Sequence, residues 1–364
     1  MVEHAKAVGR TRVGKEPGPE AGALGVGPGQ VARSRMRASH LGKRLPAGQH
    51  AEAAEGGLQD SAPRDALVAL HARLDGVDPD GWEHSTLAQV WFRSSDYVVP
   101  RDDRGLAAFT LGTLPRDPAV RDGLHALADV VLDVLGGEPM SSRRVTEALP
   151  DLPNPFLVKL LSATGKVHIR WDASRIDVLP AEPAAVDVED ARVELARRFL
   201  HWLGPAGPAQ FARWAGIVHD DAQATWQALA ARCDLVPVDL EGRGRWLLAD
   251  DEAALRADEP LAGVRLLPMG DPVLWLDRDL VVPPAPDHVA ERQPDGDVTQ
   301  RLLNSLQCRV LLDGEIVGSW GRAGGKVTLA PWRELTEDEA ARIEAEAHSF
   351  ATALGRKITV RWLG

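Results

Sequence analysis

Three adjacent polar residues, Gln59, Asp60 and Ser61, close the segment Gly57-Leu58-Gln59-Asp60-Ser61 just ahead of an apolar helical run that starts at Arg64. A carboxamide, a carboxylate and a hydroxyl in that place can hold and activate a water molecule. Gln59 would orient it, Asp60 or Ser61 would assist, and the helix N-terminus would favour a nearby negative charge. The same residues suit a plainer task, because Asp60 or Ser61 would cap the helix well. Other apparent motifs fail on spacing. Gly321-Arg322-Ala323-Gly324-Gly325-Lys326 has no Ser or Thr after its lysine, and a strand follows it rather than a helix, so it reads as a hairpin and not as a phosphate loop. Gly318-Ser319-Trp320-Gly321 is not a nucleophile elbow. The histidines, and the pair Cys233 and Cys308, show no metal-ligand spacing, so neither a metal nor a cofactor is expected.

A second set of residues suits phosphate contact. Arg33, Arg35, Arg37, Lys43 and Arg44 cluster near the start, and Arg64 opens the helix after Ser61. Further on, Lys166, His168 and Arg170 alternate with Val167, Ile169 and Trp171, which gives a strand one basic and one apolar face. The candidates for DNA contact are therefore Arg35, Arg37, Arg44, Arg64, Lys166, His168 and Arg170. An ordinary solvated face is the alternative for each. Trp82 and Trp91 are candidates for stacking on a base, against core packing as the default.

These residues need a frame, and the clearest is residues 187–259. Leu195, Ala196, Phe199, Leu200 and Leu203 recur at helical spacing; Gly204-Pro205 stops the helix; a short helix runs from Pro208 to Gly216; and Asp220 with Gln223 predicts a capped third helix. Two apolar strands around Gly242-Arg243-Gly244 complete a helix-turn-helix with a wing. In that third helix Gln223, Thr225 and Gln227 are expected to be exposed, with few cations beside them.

The pattern recurs twice upstream. Residues 1–31 read as a disordered extension, with Met36 as an alternative start. Residues 32–115 read as a first winged helix with an enlarged wing of strands at 88–92, 96–100 and 107–111. Residues 116–186 read as a second, with Ser141 or Ser142 capping its short helix and Asn154 its third. Residues 260–364 read as a β-rich domain with strands that include 273–276 and 280–282, a polar loop at 287–299, a hairpin at Asp313-Gly314 and a long helix from Glu337 to Leu354. The fold class expected is α+β: three tandem winged-helix modules followed by a β-rich C-terminal domain.

Composition narrows the function. The chain has 364 residues, and its 44% hydrophobic content suffices for several cores. It contains no apolar run of membrane-spanning length and no secretion signal, and its sparse cysteines suit a reducing cytoplasm. A net charge of −11 argues against non-specific coating of nucleic acid but leaves room for a local basic groove.

The order of the chain resembles the winged-helix DNA-binding family that includes the crosslink-repair DNA glycosylases of the AlkX/AlkZ (YcaQ-like) type. The resemblance is carried by GLQDS (Gly57–Ser61), ARRFLHWLGPAGPAQFARWAG (Ala196–Gly216), VRLLPMGDPVLWLDRDLVV (Val264–Val282) and LLDGEIVGSWGR (Leu311–Arg322), the last two being the most specific. It implies three tandem winged helices and a β-rich region forming a concave DNA-binding scaffold. It also implies a Gln-x-Gln or Gln-x-Asp pair that positions the attacking water. Gln59 matches the first position; Ser61 stands where Gln or Asp is the family's residue, and Asp60 is one residue out of register. The expected function is binding of double-stranded DNA by a monomer with no membrane partner. The alternatives are a glycosylase releasing alkylated or crosslinked purines, and a protein-interaction scaffold.

Overall fold

The computed structural model describes residues 18–60, 64–150, 152, 157–182, 185–276 and 308–363. The chain opens with β1 (Leu24–Val26) and α1 (Pro28–Ala38), followed by α2 (His50–Ala53), β2 (Leu58–Gln59), α3 (Asp65–Arg73), β3 (Leu87–Phe92), β4 (Ser95–Pro100) and α4 (Asp103–Phe109). Next come α5 (Pro118–Leu135), β5 (Met140–Ser141), α6 (Ser142–Ala148), α7 (Leu157–Leu160), β6 (Val167–Trp171) and β7 (Ile176–Pro180). A third set follows: α8 (Val188–Leu203), α9 (Pro208–Ala215), α10 (His219–Ala230), β8 (Leu235–Leu240), β9 (Arg243–Leu248) and α11 (Glu252–Arg256). The C-terminal part holds β10 (Val264–Leu267), β11 (Arg309–Leu312), β12 (Glu315–Ala323), β13 (Lys326–Pro331), α12 (Glu337–Ala353) and β14 (Thr359–Trp362). The fold is mixed α+β with a β-rich C-terminal region.

The strands form small sheets in the orders β2-β4-β3, β5-β7-β6 and β1-β8-β9, and a five-stranded sheet β10-β11-β12-β13-β14. Turn chemistry sets several boundaries. Asp313-Gly314 joins β11 to β12 with both residues at positive φ, as its composition predicts. Asp187 accepts hydrogen bonds from the Glu189 and Asp190 amides to start α8, and Ser141 accepts one from Arg144 to start α6. Gly321–Lys326 lies in the β12–β13 hairpin, with Ala323 paired to Lys326.

Several expectations are corrected. Residues 24–31 belong to the fold, because β1 pairs in parallel with β8 and α1 begins at Pro28. Residues 107–111 are not a strand: Asp102 caps α4, and Ala107, Ala108 and Phe109 are buried together on it. Residues 273–276 are not a strand: a 3-10 turn, Pro272–Leu274, capped by Asp271, takes up their start. Helix α10 begins at His219 without a side-chain cap, so Asp220 and Gln223 make no capping box. The β8–β9 turn is Glu241-Gly242, both at positive φ, one residue earlier than Gly242-Arg243-Gly244 suggests. The Asn154 cap, the strand at 280–282 and the loop at 287–299 lie outside the described residues.

One core joins distant parts of the chain. Leu58, Leu67 and Leu70 of the first set, Phe199, Trp202 and Phe211 of the third, and Leu266, Trp320 and Phe350 of the C-terminal part belong to one buried cluster. Residues around α5, including Leu124, Val131, Val145 and Val178, form a second cluster. The backbone that carries Gln59 therefore sits where the first and third helical sets meet the C-terminal sheet.

Candidate active site

Gln59 ends the edge strand β2, where it pairs with Tyr97 of β4. Two glycines bring the chain there. Gly56 lies flat against Trp202, where a Cβ would stand 2.1 Å from the indole, and Gly57 has φ +74 against Phe109. No side chain larger than hydrogen fits at either position without moving an aromatic ring.

The Gln59 amide is oriented by its neighbours. The Tyr97 hydroxyl donates to Oε1 at 3.3 Å, and Nε2 donates to Ser95 Oγ at 3.4 Å. Burial pushes the Tyr97 phenol up to about 12, so it stays a proton donor near neutral pH. From another side Gly270 presses on Gln59, and a Cβ there would stand 2.7 Å from Oε1 and 2.9 Å from Cβ.

Asp60 is fully buried. Its Oδ1 accepts the Ala66 amide at 2.9 Å, so it satisfies the start of α3, and its Oδ2 lies 3.8 Å from Arg64 Nη1. Burial pushes its carboxyl up to about 6, with the Ala66 amide and Arg64 opposing the shift. Ser61 lies outside the described residues.

The residues that follow the motif, Arg64 and Asp65, and Met269 before Gly270 line a cleft of about 730 Å³ whose wall also includes Trp82, Arg170, Arg322 and Arg356; Gln59 itself does not line it. Asp65 is partly buried in that wall. Burial and the neighbouring Asp60 push its carboxyl up to about 7, against the pull of Arg322. The sequence reading missed Asp65, Tyr97, Arg322, Arg356 and Gly270. A carboxylate beginning α3 right after Arg64 was a local signal for Asp65; the other four had none.

The predicted DNA contacts fall into three groups. Arg64 and Arg170 both reach the cleft. Arg64 lies over the Trp82 ring at 3.8 Å and donates to the Asp172 carbonyl at 3.1 Å; Arg170 pairs with Glu83. Trp82 is buried beneath them and so is not available to stack on a base. Lys166 pairs with Asp129, and burial with Arg101 nearby pushes His168 down to about 4, so at neutral pH this strand face carries less free charge than its residues suggest.

The remaining three, Arg35, Arg37 and Arg44, hold other parts of the chain. Arg35 is buried and donates to the Gly204, Pro205 and Leu276 carbonyls. Arg37 donates to the Ala254 and Ala257 carbonyls at the end of α11. Arg44 bonds the His71 carbonyl and pairs with Glu346 of α12 at 2.5 Å. Thr225, expected to be exposed on α10, is buried and donates to the Asp221 carbonyl. Trp91 lies under Lys159 at 4.4 Å, whereas Trp275, 38% exposed, lies under Arg93 of the β3–β4 turn at 3.8 Å.

Comparison with known proteins places this geometry. An interstrand DNA cross-link repair glycosylase of Streptomyces sahachiroi is 25% identical over 168 residues, which are 46% of this chain and 44% of that protein, so the match spans less than half of the relative's length. The solved structure of Streptomyces sahachiroi DNA glycosylase AlkZ superposes over 93% of this chain and all of its own, with TM-score 0.70 and 17% identity, a likeness of fold. The sequence pattern that defines the DNA glycosylase AlkZ-like family matches residues 53–353, which take in Gln59, Gly270 and the cleft residues Arg64, Asp65, Arg170 and Arg322. The chain therefore belongs to the DNA glycosylase AlkZ-like family.

Proposed function

We propose that the protein binds double-stranded DNA through three winged-helix units and hydrolyses the N-glycosidic bond of an alkylated or crosslinked purine. What supports this reading is the fixed carboxamide of Gln59 just ahead of α3, whose first residue Asp65 has a raised pKa and lies with arginines in the wall of a cleft. Family membership and the three small sheets, each preceded by helices, support it.

In this reading Gln59 orients a water toward the deoxyribose C1′. The bond from C1′ to the purine nitrogen breaks, the purine leaves with the electron pair, and the water oxygen bonds to C1′. An alkylated purine is already cationic, so it departs with little acid assistance. The need is for water placement and for negative charge near the developing oxocarbenium ion. Asp65, in the cleft wall, supplies a carboxylate that can take the water's proton near neutral pH. Asp60, enclosed beneath the motif, contributes charge and holds the start of α3 rather than touching water.

The test is base release from a duplex carrying an alkylated guanine or a nitrogen-mustard-type crosslink. Release that falls at least ~100-fold in Gln59→Ala, with duplex affinity retained, is the expected result. Equal release by wild type and Gln59→Ala would remove Gln59 from the reaction. Binding without release would leave a DNA-binding protein whose water-positioning pair is incomplete at Ser61.

A further inference from the structure

The carboxamide of Gln59 is held by a segment more than two hundred residues away in sequence. Gly270 lies so close that an added Cβ would come within 2.7 Å of Gln59 Oε1, 2.9 Å of its Cδ and 2.9 Å of its Cβ. A new rotamer moves Oε1 and Cδ but leaves Cβ in place. A methyl group at residue 270 therefore displaces either the Gln59 side chain together with its backbone or the Pro268–Asp271 turn. Gly270 does not have a positive φ, so its backbone makes no demand for glycine. The three atoms nearest to an added Cβ all belong to Gln59.

The turn that carries Gly270 is anchored next to it. Asp271 receives two hydrogen bonds from Arg73, at 2.7 and 2.8 Å, with both side chains fully buried. The same carboxylate accepts the Val273 amide at 3.2 Å. Arg73 also bonds the Ala69 carbonyl at 3.1 Å, and its guanidinium lies 5.4 Å from the Trp202 ring, the ring on which Gly56 rests. Gly270 thus touches Gln59, Gly56 lets the strand that carries Gln59 rest on Trp202, and Arg73 lies between that ring and Asp271. A bidentate pair with no exposure is a costly way to hold a turn, and this one ends on the glycine against the water-positioning amide.

We infer that Gly270, anchored by the buried Arg73–Asp271 pair, is a positioning residue that holds the Gln59 carboxamide in its working orientation. This inference rests on the proposed reaction for its consequence but not for its geometry. The test uses the full chain and the variants Gly270→Ala, Arg73→Lys, Gln59→Ala and Gly270→Ala/Gln59→Ala.

Single-turnover base release by Gly270→Ala should fall roughly 10- to 100-fold, as for an ångström-scale misplacement of a catalytic group. Its duplex Kd should stay near the wild-type value, and the double variant should be no slower than Gln59→Ala. Wild-type release by Gly270→Ala, a parallel loss of affinity, or a full additional loss in the Gln59→Ala background would each overturn the inference.

A second readout needs no activity. In protein labelled with ¹⁵N-glutamine, the Gln59 side-chain amide signal is identified by its absence in Gln59→Ala. It should shift in Gly270→Ala, and also in Arg73→Lys if that variant folds. An unmoved signal in Gly270→Ala overturns the inference even if wild-type protein releases no base. A shifted signal with no wild-type release would instead refute the proposed reaction and leave the positioning intact.

Discussion

At the scale of single residues, the chemistry rests on groups whose ionisation the fold has moved. Asp60 and Asp65 both have carboxyls raised, to about 6 and about 7, mainly by burial. A carboxyl with a raised folded pKa binds its proton more tightly in the native state. The folded protein therefore loses stability as pH rises from the ordinary aspartate range, near 4, to about 7, and little further above that. Asp65→Asn should flatten this loss, as read by Tm at pH 5 against pH 7.5. Base release by wild type should rise with pH through roughly 6 to 7 as Asp65 ionises, and that rising limb should disappear in Asp65→Asn; an unchanged profile would exclude Asp65 as proton acceptor. In the function proposed here, Ser61 stands at the second position of the water-positioning pair. Ser61→Gln and Ser61→Asp should both speed base release, and a fall in rate would show that Ser61 is not that second position.

At the scale of elements, long-range arginines hold the helices to the sheets. Arg35 ties α1 to the Gly204-Pro205 corner after α8, and Arg44 ties the first helical set to α12. Removing the Arg35 side chain leaves three buried carbonyls without this donor. Arg35→Ala should thus cost about 2–5 kcal/mol, seen as a lowered denaturation midpoint with unchanged salt dependence of DNA binding. Breaking Arg73–Asp271 by Asp271→Ala should cost about 3–5 kcal/mol, because it leaves a guanidinium buried without its partner. If Arg35→Ala kept full stability and lost duplex affinity, the structural role assigned to Arg35 would be wrong.

At the scale of the molecule, the distribution of charge outweighs its total. The chain is acidic, yet four arginines, Arg64, Arg170, Arg322 and Arg356, converge on one cleft from three parts of the chain. Arg356→Glu should weaken duplex binding several-fold and reduce the slope of log K against log salt by about 1. Lys166→Glu should change the slope less, because Asp129 already pairs with Lys166. Equal effects from the two substitutions would remove the cleft as the DNA path. Among the described residues no helix is long and apolar enough to cross a membrane.

Periodicity and turn chemistry were legible from the residues because they act over a few positions. The spacing of Leu195, Phe199, Leu200 and Leu203 specified α8, Asp313-Gly314 specified its hairpin, and Gln59 stood out beside Asp60 before a helix. Where local signals compete, spacing does not decide: residues 107–111 suit a strand or a helix, and capping by Asp102 with burial of Phe109 puts 107–109 in α4, with Leu111 opening a 3-10 turn. The partners of the charged residues had no such signature. Arg35 and Lys166 look alike as exposed cations in a sequence, and only packing shows one buried on carbonyls and the other held by Asp129. Gly270 looks like an ordinary turn glycine until the turn lies on Gln59 and Asp271 meets Arg73. Contacts between residues two hundred positions apart depend on how whole elements stack, and that stacking leaves no trace in the spacing of neighbours.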